Sequence, residues 1–177
     1  MRIKITNSTS IGCVELLDKG QVDLIVCNSP NSRLNTHRQV QVIQEFEDIF
    51  AANPEYFPFT EKPISLRELL DFPILMLSQK STTNEYLHQI FTAQGLRLIP
   101  EVELNSNDLL LDLARIGLGI ACVPNYMLKQ QTTLLPVPLK TPLPLRQIVL
   151  VQHDTLPLSP AAERFMKTFQ GNRETIP

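Results

Sequence analysis

The first residues alternate one by one. In RIKITN, Ile3 and Ile5 fall on one side and Arg2, Lys4 and Thr6 on the other, which predicts a strand over 2–7. The polar run Asn7-Ser8-Thr9-Ser10 offers helix N-caps. Cys13, Leu16 and Leu17 then form a short apolar helical face that ends at Gly20, a residue suited to the left-handed position after a helix. VDLIVCN over 22–28 reads as the next strand, and the two strands of this β-α-β unit are expected to run parallel. After the turn cluster Ser29-Pro30-Asn31-Ser32, apolar positions from Val40 to Phe50 predict one extended stretch over 40–52, with a helix over 42–50 as the alternative. Asn53-Pro54 and Phe57-Pro58 break it.

The second half carries sharper signals. Ser65-Leu66-Arg67-Glu68 is a capping box, and PILML over 73–77 is a buried strand by length and composition. Thr82-Thr83-Asn84-Glu85 reads as another capping box. The pairs Tyr86/Ile90 and Leu87/Phe91 follow at i,i+4 before Gly95 closes the helix. PEVEL over 100–104 alternates as a strand. Asn105-Ser106-Asn107-Asp108 caps a helix expected to bury Leu109, Leu113 and Ile116. In GLGIACVP, Gly117 suits a left-handed helix end, Gly119 a tight entry, and 120–123 a buried strand. The proline-punctuated 133–145 predicts an extended connection, RQIVLVQHD over 146–154 the last strand, and Ser159-Pro160 the start of a closing helix. Strand–helix alternation of this kind is an α/β architecture with largely parallel sheets. The long crossing at 40–60 and the return through 143–152 suggest two lobes, 1–58 with 153–177 and 59–152.

Composition narrows the class. The 177 residues are 43% hydrophobic and 19% charged with a formal net charge of −2, ordinary for a globular domain and without the basic surface that grips nucleic acid. Cys13, Cys27 and Cys122 lie far apart with no C-x-x-C, as expected of buried thiols in a reducing cytoplasm. No signal-peptide core opens the chain. His37, His88 and His153 are scattered singly, so no metal or cofactor is expected. The chain shows no G-x-S-x-G elbow and no phosphate-binding loop, and the GLG follows a helix, opposite to a dinucleotide fingerprint. An enzyme is therefore not expected.

Hydroxyl- and amide-rich junctions are the candidate chemistry. Ser81-Thr82-Thr83, Asn7 to Ser10, and Asn105-Ser106-Asn107 each follow a predicted strand and open a helix, where unpaired N–H groups and the helix dipole favour an anion.

Three segments resemble the effector-binding domain of LysR-type transcriptional regulators: VELLDKGQVDLIVCNSP (14–30), DFPILMLSQKSTTNEYLHQIFTAQG (71–95) and LNSNDLLLDLARIGLGIACVPNYML (104–128). The resemblance implies a two-lobed, periplasmic-binding-protein-like (type 2) α/β fold with mostly parallel sheets and two crossover strands. It also implies a small-molecule effector in the cleft, contacted by Ser10, Ser81, Thr82 and Thr83. Ser106, Asn28, Pro124 and the hinge-side Cys27 are further candidates. The family's winged helix-turn-helix and the first strand–helix unit of lobe I have no counterpart before Met1, so a truncated, homo-oligomeric sensor is expected, with DNA contacted only through the missing domain. A solute-binding protein or an enzyme on the same fold are the rival readings. Valine at positions 82 and 83 is expected to abolish effector-induced stabilisation and leave the fold intact.

Overall fold

Three helices end in the same local device. A computed structural model describes residues 4–34, 40–59, 62–130 and 132–170, and in it Ser10–Asp18 (α1) begins at the N-cap Thr9. The N–H of Gly20 reaches Leu17 O and that of Gln21 reaches Leu16 O, the paired bonds of a Schellman motif. Gly95 closes Thr82–Ala93 (α3) and Gly117 closes Asn107–Arg115 (α4) with the same pattern. Between α1 and α3 come Leu24–Ser29 (β1), Val40–Phe46 (β2), Asp48–Ala52 (β3), Leu66–Leu69 (α2) and Ile74–Leu77 (β4). Val102–Leu104 (β5) precedes α4. After it come Ile120–Pro124 (β6), a 3-10 turn over Asn125–Gln130, Leu135–Pro136 (β7), Arg146–Gln152 (β8) and Pro160–Gln170 (α5).

The chain divides into two compact units, Met1–Glu45 with Gln147–Pro177 and Phe46–Arg146. The first holds a sheet ordered β1-β8-β2, with β1 and β8 antiparallel from Leu24↔Gln152 to Ser29↔Gln147. Its core joins Val14 and Leu17 of α1 to Ile25, Cys27, Val149 and Val151. At the start of α5, Ser159 Oγ accepts the N–H of Ala162 at 3.2 Å and donates to Asp23 at 3.3 Å.

The second unit holds a five-stranded sheet ordered β5-β4-β6-β3-β7. Its β4–β5 and β4–β6 pairs are parallel, whereas β3 runs antiparallel to both β6 and β7. Alternation along these strands divides the core in two. Phe50, Ile74, Met76, Ile120 and Cys122 gather with Leu87 and Phe91 of α3, while Ala51, Leu75, Ala121 and Val123 gather with Leu110, Leu111 and Ala114 of α4. Covered on both faces, β6 is buried at every position, which is why it reads as a continuous apolar run.

Several expectations change. Residues 4–9 form no strand and Ile5 is 89% exposed, while 1–3 lie outside the described residues. Alternation yields a strand only where a neighbour takes its backbone bonds, and β1 takes β8 as its antiparallel partner instead of a parallel one. The single stretch 40–52 is two strands in different sheets. The break comes at Glu47, whose carbonyl accepts the N–H of Asn125 at 2.8 Å. Consequently the boundaries between compact units fall at 45/46 and 146/147 and not at 58/59 and 152/153, because Phe50, Ala51 and Ala52 pack with the second unit. On α4 the buried residues are Leu110, Leu111 and Ala114, while Leu109 and Ile116 stay exposed. Four leucines in five positions fit more than one face, and packing on β3, β4 and β6 selects one.

The two glycines after α4 have separate tasks. Gly117 sits at φ +81, in the left-handed region, with the Tyr56 ring against it. At Gly119 a Cβ would lie 2.6 Å from Pro73 O and 2.9 Å from Leu75, where β6 enters beside β4. Gly119→Ala is expected to cost about 1–3 kcal/mol, the usual penalty for overfilling a packed core. That would lower the urea midpoint at unchanged m; an unaltered midpoint would show that the Pro73 backbone yields freely.

The α2 capping box forms as expected. Glu68 accepts from the Ser65 N–H at 2.7 Å, its hydroxyl at 2.6 Å and Lys140 at 2.8 Å. The Lys140 bond first, then those from Ser65, lower the Glu68 pKa to about 2. A depressed folded-state pKa means the contribution is complete above the ordinary carboxylate range and is lost as pH falls through about 2. An NMR titration of the Glu68 carboxyl should show that midpoint, and Lys140→Met should raise it; a midpoint indifferent to Lys140 would refute the assignment.

Candidate functional site

Parallel strands β4, β5 and β6 end at one edge of the second unit's sheet, and the chemistry gathers there. Carboxyl ends of parallel strands are where α/β folds present helix N-termini to ligands. After β4, Ser81 caps α3, its Oγ accepting the Asn84 N–H at 3.1 Å. After β5, Ser106 caps α4, its Oγ accepting the Leu109 N–H at 3.3 Å. The two loops are tied by a bond from the Ser78 hydroxyl to Asn105 and by Asn84, which donates to both Leu77 O and Glu103 at 2.9 Å. Pro124 ends β6 directly opposite Asp48 in register.

Behind α3 lies a group that sequence reasoning missed. The Arg146 side chain is fully buried, and so is that of Asp48. Arg146 Nη1 donates to Asp48 Oδ2 at 2.6 Å and to Thr83 Oγ1 at 2.9 Å, and Nη2 donates to Thr82 Oγ1 at 3.0 Å. The guanidinium lies 4.8 Å from the centre of the Tyr86 ring and 5.3 Å from that of Phe46, within cation–π range. Tyr86 in turn donates to Pro144 O at 2.6 Å. Arg146 Nε and Asp48 Oδ1 are left without a hydrogen-bond partner.

Burial raises the Asp48 carboxyl pKa, opposed by the charge and hydrogen bond of Arg146. Burial first, then the charge of Asp48, pushes the Tyr86 phenol up to about 12. The Cys122 thiol is raised by burial, as expected of an inert core cysteine.

This network corrects two expectations. Thr82 is not the helix cap: Ser81 is, and Thr82 and Thr83 occupy the first two helical positions with their hydroxyls turned to Arg146. Valine at both positions would strip two acceptors from a buried cation, so a loss of stability is expected beside any effect on a ligand. The signal for Arg146 and Asp48 was faint. Arg146 opens the apolar run RQIVLV, and Asp48, directly after Glu47, opens DIFAA.

In the first unit, Ser10 and Asn28 come together. Ser10 Oγ accepts the Asn28 N–H at 3.0 Å, and its carbonyl accepts from Asn31 at 3.2 Å. Cys27 points into the core of that unit. Among the described residues, no three His, Cys, Asp or Glu side chains gather where they could hold a metal ion, and no helix is long and apolar enough to cross a membrane.

Hydroxyls and backbone N–H groups at the ends of parallel strands are the arrangement in which α/β domains can hold small ligands. The chain belongs to the LysR substrate binding domain family, which matches residues 1–173. It is similar to the HTH-type transcriptional activator CmpR of Synechocystis sp., at 27% identity over 115 residues. That match covers 65% of this chain and 37% of CmpR, so the chain spans little more than a third of this curated relative. Solved structures share the fold. The regulatory domain of Synechocystis PCC6803 CcmR in complex with 2-PG superposes with a TM-score of 0.84 at 15% identity, covering 96% of this chain and 82% of that one. The effector binding domain of QuiR in complex with shikimate gives 0.81 at 14% identity, covering 96% and 81%. With them, the two-unit architecture is the periplasmic-binding-protein-like type 2 fold, its sheets mixed where mostly parallel ones were expected.

Proposed function

We propose that this chain is the effector-sensing domain of a LysR-type transcriptional regulator. A small metabolite is held at the hydroxyl-rich helix starts, and binding shifts the population of conformations that set DNA affinity. The DNA contact itself belongs to a winged helix-turn-helix elsewhere in the protein, and the regulator works in the cytoplasm as a homo-oligomer. The observation that carries the reading is the placement of Ser81, Thr82, Thr83 and Ser106 at the first turns of α3 and α4, beyond the carboxyl ends of β4 and β5, in a member of this family. Ser10 and Asn28 form the corresponding pair in the first unit. The neighbouring structures hold 2-PG and shikimate, so these two head the compounds to try. Control requires that the effector bind one conformation more tightly than the other.

Binding and not turnover is the proposed activity. A nucleophilic hydroxyl must give its proton to a base, and the partners of these hydroxyls are a guanidinium and backbone N–H groups, none of which can take one.

Calorimetric titration with 2-PG, shikimate and a panel of neutral polyols is the test. Saturable binding that raises the melting temperature is expected. Ser81→Gly and Ser106→Gly should each weaken it, while glycine at an N-cap costs stability only a few tenths of a kcal/mol relative to serine. Full affinity in both variants would move the site elsewhere, and a panel without a single binder would count against the sensing role itself.

A further inference from the structure

The sheet of the first unit, ordered β1-β8-β2, has two edges of different character. Natural edge strands are blunted by charge, proline or a bulge. Among its seven residues β2 carries Glu45 and two glutamines. By contrast β1, LIVCNS, has no charge and no proline, and its register with β8 is unbroken from Leu24 to Ser29.

Backbone direction along β1 follows from one bond. In an antiparallel strand the N–H and C=O of a residue point to the same side, and that side alternates along the chain. The Asn28 N–H is bonded to Ser10 Oγ at 3.0 Å, so it points away from β8. Val26 and Leu24, two and four positions earlier, turn their N–H and C=O groups the same way. Among the described residues those four groups meet no partner, and the exposed residues 4–9 form no strand beside them. The Val26 side chain is likewise open, at 45% exposure, although Ile25 and Cys27 on either side of it are buried.

We infer that β1 is a self-pairing edge, through which two copies of this chain join their first units as antiparallel strands about a two-fold axis at Ile25. In that register Leu24 lies opposite the partner's Val26, and Val26 opposite the partner's Leu24. Each pair exchanges two backbone bonds, so both free donors and both free acceptors of each copy are satisfied. The same two residues form two apolar cross-strand pairs. Asp23 falls opposite the partner's Cys27, so no like charges meet. An axis at Val26 would instead require the Asn28 N–H that Ser10 already holds. The product is an isologous dimer with one six-stranded sheet, β2-β8-β1-β1-β8-β2. It goes beyond the sensing role and does not depend on it.

Sedimentation equilibrium over a range of concentration, with amide hydrogen exchange at both ends of that range, is the test. The native chain should approach twice the 20.1 kDa of one copy. Val26→Lys should weaken self-association at least about tenfold with an unchanged melting temperature, because the side chain it replaces is exposed. Val42→Lys, at an exposed position of the other edge strand, should leave association as it is. The Leu24 and Val26 amides should gain protection as concentration rises, while the Asn28 amide is protected throughout by Ser10. This readout needs no variant, so it decides the matter even if Val26→Lys fails to fold. A chain that stays monomeric at every concentration overturns the inference. So does a dimer whose Leu24 and Val26 amides exchange freely, since it would use another surface. Protection of those two amides in a monomer overturns it as well, because the edge would then be covered from within the chain.

Discussion

Arg146→Met is expected to cost about 3–5 kcal/mol of folding stability, because it leaves an uncompensated carboxylate in the interior. Asp48 is 0% exposed and cannot turn to water when its partner goes. Thr82 and Thr83 would lose their donors in the same step, and the Tyr86 and Phe46 rings would lose the cation beside them. The double variant Arg146→Met with Asp48→Leu should recover much of the loss, since well-packed apolar residues often replace a buried ion pair at little cost. Chemical denaturation of the two single variants and the double variant forms a cycle that isolates the pair. If Arg146→Met alone lowers stability by less than about 1 kcal/mol, the range of an exposed ion pair, the buried pair described here is not present in solution.

Phe50→Ala should be nearly as damaging. Phe50 is 0% exposed at the centre of β3, its ring 6.5 Å from that of Phe91 in an edge-to-face arrangement. Losing a buried phenylalanine costs about 3–5 kcal/mol through transfer free energy and the cavity left behind. The location of the damage is as informative as its size. Because β3 packs with Ile74, Ile120 and Leu87, amide protection should fall first in β4, β6 and α3, ahead of α1 and β1. Loss of protection confined to α1 and β1 would contradict the unit boundary at 45/46.

Legibility in the sequence followed the range of the interaction concerned. Gly20, Gly95 and Gly117 announced helix ends because the Schellman bonds span only a few residues. Ser65 with Glu68, and Ser159 before Pro160, announced starts for the same reason. The start of α3 was harder, since Ser81-Thr82-Thr83-Asn84-Glu85 contains two overlapping cap patterns. The choice between them belongs to Arg146, which takes both threonine hydroxyls and leaves Ser81 to cap. The hydroxyl-rich junctions themselves could be named from the chain, as could the family that the whole pattern resembles.

By itself, the sequence determined the ends of α1, α3 and α4, the starts of α2 and α5, the buried strands β4 and β6, and which junctions carry hydroxyls beside unpaired backbone N–H groups. Those properties depend on backbone conformations and on partners a few positions away. Tertiary structure decided that β1 pairs antiparallel with β8, that 40–52 divides between two sheets, and which leucines of α4 face inward. It also decided the electrostatic character of the candidate site. Asp48 and Arg146 lie 98 positions apart and become a pair only when β3 and the start of β8 enter the same unit. A local pattern cannot encode that meeting, because the two charges can offset each other's desolvation cost only once the folded chain has brought them into contact.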